Sequence, residues 1–243
     1  MIGAVIFDLY ETLITEFNPN WEPPERSLAD RLGIPNEGFQ ERFERLNDEW
    51  EIGRIGDFEE LLSRICAESG RDVPASAIDD LVRERSAVRV GFENIDPAIV
   101  EMIRNIKSLG LRVGVVTDVA NMDLEGWPDN ELSALIEDVV PSFEVGVMKP
   151  EALIYRQGLQ LLRVRADETV YIGDGGNDEL SGAERVGMTA CWATWFLDRW
   201  PPGIRPGTRF DGDDWRQFPG HEPPYPRMVT PGRFVDWLQG NRT

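Results

Sequence analysis

The sequence predicts an α/β protein: a doubly wound parallel sheet whose strand–helix alternation is interrupted, after its first strand, by an all-helical segment. Three observations carry this prediction. A short, continuous apolar run, Ala4–Phe7, opens the chain and delivers Asp8. From about Pro23 to Val90 the apolar spacing is helical, with almost no strand signal. From Asp96 onward, short apolar runs alternate with amphipathic stretches, and repeated strand–helix units imply parallel strands with helices on both faces.

Each element has a local reason. Ala4–Phe7 reads as a buried strand because it is apolar throughout. The helical segment divides into helices near 24–32, 36–51, 57–69 and 75–90, with Gly33, Gly53 and Gly70 at ends or breaks and Pro74–Ser76 at one start. Asp96 caps the next helix, Pro97 occupies its first position, and Gly110 ends it. Its buried stripe is Ile99, Met102, Ile103, Ile106 and Leu109. A strand over Arg112–Val116 follows, then a helix near 131–138 and a short strand around Phe143–Val145. The helix from about Glu151 to Leu162 leads into a strand at Thr169–Ile172. A helix near 177–187 precedes a strand at Thr189–Ala193. From Trp195 the chain turns rich in Pro, Gly and Asp, with Trp200, Trp215, Phe218 and Tyr225 interspersed, until a last helix near 231–239 behind Thr230 and Pro231. Those aromatics imply a tail that packs on the core or on a partner subunit. The expected division is therefore 1–15 and 93–243 as the α/β core, its tail 195–243 irregular, with 16–92 as a helical insertion.

Composition narrows the function classes. The chain has 243 residues, 41% of them apolar, which suffices for a sizeable core. Its 44 acidic and 25 basic residues give a net charge of −19. Such a field disfavours nucleic acid and anionic membrane as partners. An anionic small molecule needs a local positive group or a metal to enter. The two cysteines, Cys66 and Cys191, lie far apart in apolar surroundings, which suits free thiols in a reducing cytoplasm. No signal-peptide pattern opens the sequence, and no apolar run is long enough to span a bilayer. The single histidine, His221, sits in a Pro-rich loop, so histidine-activated nucleophiles and multi-histidine metal sites are disfavoured. No feature of the pattern fixes an oligomeric state.

In a parallel sheet, ligands bind outside the carboxyl ends of the strands. Four such ends carry reactive groups. The first gives Asp8 and Thr12; the second gives Thr117 and Asp118; the third region gives Lys149; the fourth, GDGGNDELSGA, gives Asp174, Asp178 and Glu179. Singly, each acid reads equally well as a cap or turn former and the lysine as a solvated loop residue. Their placement at successive strand ends brings them together. Three carboxylates in one crevice repel, and a hard cation with Lys149 would keep them ionised. Oxygen donors without histidine or thiol suit Mg²⁺, which keeps waters and accepts substrate oxygen.

The elements FDLYETL, VVTD, KPEALIY and YIGDGGNDELSGAERVGM, in this order, resemble the haloacid dehalogenase-like hydrolase superfamily, over most of residues 1–15 and 93–193. The resemblance implies a Rossmann-like core with the helical insertion as a cap. It makes Asp8 the nucleophile that forms a covalent aspartyl intermediate. Thr117 would bond the transferring group, and Lys149 would hold Asp8 ionised. Mg²⁺ would be held by Asp8, the Tyr10 carbonyl and Asp174, with Asp178 or Glu179 in support. Asp178 fits a four-residue step from Asp174; Glu179 fits the distance to Gly182–Ala183.

The sequence departs from the family's phosphatases at Tyr10, where they carry a second Asp that protonates the leaving oxygen. A phenol is a poor base near neutrality, and adjacent Glu11 points elsewhere. Tyrosine here, together with Tyr155 after the KP pair, resembles the 2-haloacid dehalogenase branch, whose halide leaves without a proton. Against that branch stand the acidic GDGGNDE turn and the negative Asp118. The favoured expectation is an Mg²⁺-dependent phosphatase of a small phosphorylated metabolite. A metal-independent dehalogenase-type hydrolase is the alternative. A catalytically weak binding or regulatory protein is a third reading, supported by Tyr10 and the tail.

Overall fold

The computed structural model describes residues 1–17, 26–86, 92, 94–200 and 224–242. Strand β1 (Ala4–Phe7) comes first, followed by four helices: α1 (Leu28–Leu32), α2 (Asn36–Glu51), α3 (Phe58–Glu68) and α4 (Ala75–Ser86). Then come α5 (Pro97–Ser108), β2 (Arg112–Thr117), β3 (Asp138–Pro141), α6 (Ser142–Val145), α7 (Ala152–Leu162) and β4 (Thr169–Gly173). The chain closes with α8 (Glu179–Val186), β5 (Thr189–Ala193), β6 (Arg227–Met228) and α9 (Pro231–Gly240).

Among the described residues six strands form one sheet in the order β3-β2-β1-β4-β5-β6, every neighbouring pair parallel. β1 is central. Phe7 faces Val115 on one side and Ile172 on the other, so Asp8 emerges between the ends of β2 and β4. Strand order reverses here, and this is where a parallel sheet opens a crevice. Period-two alternation assigns the two faces. Val5 and Phe7 pack with Val113, Val115 and Ile172 against α5 and α9. Ala4 and Ile6 pack with Val116, Tyr171 and Trp192 against α7 and α8.

Helices α1–α4 enclose a third apolar cluster of their own, built on Phe39, Leu46, Trp50, Phe58, Leu61 and Ile65. Their starts follow from side-chain caps. Ser27 and Asp30 form a reciprocal capping box on α1, and the Asp57 carboxylate accepts from Glu60 N at the start of α3. Asp96 caps α5 in the same way, with Pro97 at the first helical position.

The structure corrects the sequence reading between β2 and α7. Residues 131–138 are not a helix, and the strand lies at Asp138–Pro141 rather than around Phe143–Val145, which is the short helix α6. Pairing with β2 is the physical reason. The Asn130 side-chain oxygen accepts from Leu132 N and Ser133 N and caps one turn. That turn ends where Glu137 N donates to Val113 O and the chain joins the sheet. Val139 and Val140 then find ladder partners in Val115 and Val116. The helix expected from 177 begins at Glu179, because Asn177 and Asp178 are left-handed.

The tail also carries more order than its composition suggests. β6 extends the sheet, and α9 buries Phe234 edge-on against Phe7 with 6.0 Å between ring centroids. Trp215, Phe218 and His221 lie outside the described residues, as do residues 18–25. No helix among the described residues is long and apolar enough to cross a membrane. Both cysteines are buried and free.

Phe234 is fully buried. Phe234→Ala should lower the unfolding free energy by about 3–5 kcal/mol, read by urea denaturation. A loss under about 1 kcal/mol would show that α9 is peripheral to the fold.

Candidate active site

The site is built from the residues that follow β1, β2 and β4, joined by the loop before α7. Asp8 hydrogen-bonds back to the sheet through its backbone, Asp8 N donating to Ile172 O at 2.9 Å. Its carboxylate is almost completely buried. Lys149 Nζ donates to Asp8 Oδ1 at 2.6 Å and to Glu179 Oε2 at 2.7 Å. The Thr12 hydroxyl donates to Asp8 Oδ2 at 3.3 Å. Thr117 ends β2 and is buried.

Glu179 is the most enclosed acid. Besides Lys149, the Tyr171 hydroxyl donates to its Oε2 at 2.6 Å, and Gly175 N donates to its Oε1 at 2.9 Å. The Tyr155 hydroxyl holds its backbone carbonyl at 2.8 Å. Two glycines make room for this arrangement. A β-carbon on Gly173 would overlap the Glu179 carboxylate, and one on Gly182 would come within 2.6 Å of the Tyr155 hydroxyl.

Asp174 is half-buried at the end of β4, and its Oδ1 accepts from Gly176 N at 2.9 Å. Asp8, Asp174 and Glu179 each offer one oxygen, all within 4.8 Å of one another. Asp178 does not join them. Its side chain is 65% exposed and lies 3.4 Å from Arg185. Of the two candidate supporting acids, only Glu179 faces Asp8 and Lys149. Asp118 orders the lysine loop: Lys149 N donates to its Oδ1 at 2.9 Å, and Asn177 Nδ2 donates to its Oδ2 at 3.1 Å.

The electrostatics follow from burial. Desolvation pushes the Asp8 carboxyl well above the usual carboxylate range, against the pull of Lys149. Desolvation, with Glu179 beside it, pushes Asp174 up to about 7. Burial works against the Lys149 charge, but Asp8, Glu179 and Asp118 outweigh it and hold the ammonium well above its ordinary value. More carboxylate is gathered here than one ammonium neutralises. Oxygen donors alone, in an acidic crevice with charge to spare, fit a small hard cation.

The Tyr10 side chain turns away from proton transfer. Its hydroxyl donates to the Asp123 carbonyl at 3.0 Å. Glu11 turns away too. Its backbone is left-handed, and its carboxylate accepts from Glu16 N at 2.8 Å, Trp200 Nε1 at 2.8 Å and Thr15 Oγ1 at 2.9 Å. Burial pushes the Glu11 carboxyl up to about 7.

A model of haloacid dehalogenase-like hydrolases matches residues 2–187. The chain belongs to that family. A glyceraldehyde 3-phosphate phosphatase of Methanocaldococcus jannaschii is 27% identical over 210 residues, covering 77% of this chain and 83% of that protein. A pyrophosphatase PpaX of Bacillus cereus is 26% identical, covering 81% of this chain and 85% of the relative. Among solved structures, a 2-haloacid dehalogenase from Pseudomonas syringae superposes with a TM-score of 0.65 at 20% identity, over 99% of both chains, which speaks for the fold alone.

Sequence reasoning did not find Tyr171. It reads as one more apolar strand residue, and only its pairing with an acid eight residues on reveals its hydroxyl. Tyr155 was legible as a helix residue or a family feature, and its hydroxyl in fact holds the Glu179 carbonyl.

Asp174 yields a pH prediction. Its folded pKa, about 7, exceeds the unfolded value of 3.8, so the folded state holds a proton that the unfolded state releases. Its contribution to stability is complete below about pH 4 and is lost as pH rises through 7. In chelator, wild type should lose more stability between pH 4 and 7 than Asp174→Asn, read by urea denaturation. Equal losses would refute this environment for Asp174.

Proposed function

We propose that the protein is an Mg²⁺-dependent phosphatase of small phosphorylated metabolites, working through an aspartyl-phosphate on Asp8. The observation that carries this reading is the proximity of Asp8, Asp174 and Glu179 oxygens around Lys149, a cation site within an anion-repelling chain. The phosphatase names of relatives aligned over about four-fifths of the chain support it.

The residues divide the work as follows. Lys149 occupies Asp8 Oδ1, which leaves Oδ2, touched by the Thr12 hydroxyl, to attack phosphorus. The new bond joins Asp8 Oδ2 to phosphorus as the ester oxygen departs with its electron pair and takes its proton from solvent water. Water then cleaves the phosphorus–oxygen bond, releasing phosphate and restoring Asp8. Thr117 would bond the phosphoryl oxygens, and Lys149 offsets their growing charge. Asp8, Asp174 and the Tyr10 carbonyl would hold Mg²⁺, with Glu179 in support, and the ion would supply further neutralisation at the phosphoryl oxygens. Asp178 would stay outside this shell.

Neither Tyr10 nor Glu11 presents a group to protonate the leaving oxygen. The reading therefore carries a kinetic consequence: turnover favours good leaving groups. The same Tyr10 geometry favours one second reading, dehalogenation of a 2-haloacid, whose leaving halide needs no proton.

Residues 16–92 would serve as a cap over this crevice, with 1–15 and 93–243 as the core. Three contacts support that division. The Ser142 hydroxyl donates to the Glu51 carbonyl at 2.6 Å, Asn121 Nδ2 donates to the Gly56 carbonyl at 3.1 Å, and Arg85 pairs with Asp123 at 3.0 Å. All three tie the helical segment to loops at the carboxyl ends of β2 and β3. A cytoplasmic setting suits the two buried free thiols.

Phosphate release from p-nitrophenyl phosphate should require Mg²⁺ and stop on chelation. Halide release from a 2-haloacid without metal would establish the second reading instead. Asp8→Asn should lower turnover by about 10³-fold or more, since the nucleophile is lost; near-normal turnover would remove Asp8 from the mechanism. Tyr10→Asp should raise the rate on poor leaving groups by about 10²-fold, measured as phosphate release from an alkyl phosphate. An unchanged rate would mean that proton transfer is not limiting.

A further inference from the structure

The proposed chemistry needs Asp8 and Asp174 at a fixed separation, yet each follows the last paired residue of its strand, Phe7 and Gly173. Residues 192–200 touch both loops. Trp192 Nε1 donates to the Asp174 carbonyl at 2.7 Å. Trp195 Nε1 donates to the Thr12 carbonyl at 2.8 Å. Trp200 Nε1 donates to Glu11 Oε2 at 2.8 Å. Each acceptor belongs to a loop that carries one of the two acids. We propose that Trp192 and Trp195, aided by Trp200, are positioning residues that set the distance between Asp8 and Asp174 and thereby the affinity for the divalent cation. The inference rests on the metal-dependent reading above.

The indole suits this task. It is rigid, and its one N–H has a fixed direction relative to the ring. Trp192 and Trp195 are both buried, so neither ring can swing without displacing its neighbours. The segment is itself anchored from behind. The Arg227 guanidinium lies 5.2 Å from the Trp192 ring centroid, and its Nε donates to Thr194 Oγ1 at 3.1 Å. Arg227 also pairs with Asp198 at 3.2 Å, and Arg199 pairs with Asp96 at 2.6 Å. The Phe17 ring meets Trp200 at 5.5 Å, at the far end of the Asp8 loop. A brace works only if its own ends are fixed, and these contacts fix them.

Packing alone does not account for the pattern. Trp50 fills the helical cluster with its buried Nε1 unpartnered, which is how a tryptophan used for bulk looks in this protein. The three in 192–200 instead aim their N–H groups at two loops, the one after β4 and, more than 180 residues away, the one after β1. Outer groups of this kind orient metal ligands without touching the ion.

The test uses Trp192→Phe and Trp195→Phe, which keep an aromatic ring and remove the N–H. Titration calorimetry with MgCl₂ should show affinity reduced roughly tenfold in each. At saturating Mg²⁺, the KM for p-nitrophenyl phosphate should stay close to wild type. Wild-type Mg²⁺ affinity in either folded variant would overturn the inference, because a merely structural tryptophan would change the melting temperature and not the metal affinity. Failure of the wild-type protein to take up Mg²⁺ would sink the metal-dependent reading itself. Amide hydrogen exchange then judges the brace alone: residues 9–16 should exchange faster in Trp195→Phe, and residues 174–178 faster in Trp192→Phe. Wild-type exchange at those amides would overturn it. Should either of these variants fail to fold, Trp200→Phe keeps the test open through faster exchange at residues 9–16, and unchanged exchange there would count against the brace.

Discussion

The buried ammonium of Lys149 between Asp8 and Glu179 is the constraint around which this structure is arranged. A lone buried charge costs several kcal/mol, and the cost is offset only when partners approach with good geometry. Here each carboxylate lies within hydrogen-bond distance of Nζ. The requirement then spreads outward. Glu179 needs Tyr171 and Gly175 as further donors, and it needs Gly173 to have no side chain. Tyr155, which holds the Glu179 backbone, needs Gly182 to stay small. One ion triad thus dictates residue types on β4, α7, α8 and the loop before α7.

The sheet converts this constraint into a site. Parallel strands end at the same level, so groups more than a hundred residues apart in sequence meet at one edge. β1 lies between β2 and β4, and its terminal acid therefore has loops on both sides. The tryptophans of 192–200 and the contacts made by Glu51, Gly56 and Arg85 reach segments that follow strands of this sheet. The acids are crowded by design of the fold, and their raised pKa values are the electrostatic signature of that crowding.

Much of this was legible in the sequence, for identifiable reasons. The strand and helix alternation rests on apolar runs and caps that act locally, so β1, β2, β4, β5 and α5 lie close to where their patterns place them. The region 131–145 misled because its apolar spacing suits a helix, whereas pairing with β2 draws the chain into the sheet after a single capped turn. Within the site, the gathering of Asp8, Lys149 and Asp174 followed from strand ends. The choice between Asp178 and Glu179 did not, because it turns on the left-handed backbone of residues 177 and 178, which rotates one acid outward and the next inward. The roles of Tyr171, Trp192 and Trp195 were hidden because a hydroxyl or an indole N–H in an apolar run shows no partner until distant loops come together.

The pairing of Phe7 with Phe234 has a consequence for how the protein is made. β1 is made before its neighbours in the sheet, which begin at Arg112 and Thr169, and the ring that covers Phe7 comes later still. The helices between residues 28 and 86 pack mostly on one another, with Ala120 joining their cluster from beyond β2, so most of their contacts form while synthesis continues. The apolar strand must wait, one edge unpaired until β2 is made and the other until β4 follows. During that interval its apolar edges are open to other chains, and the net charge of −19 sets copies of this polypeptide against one another.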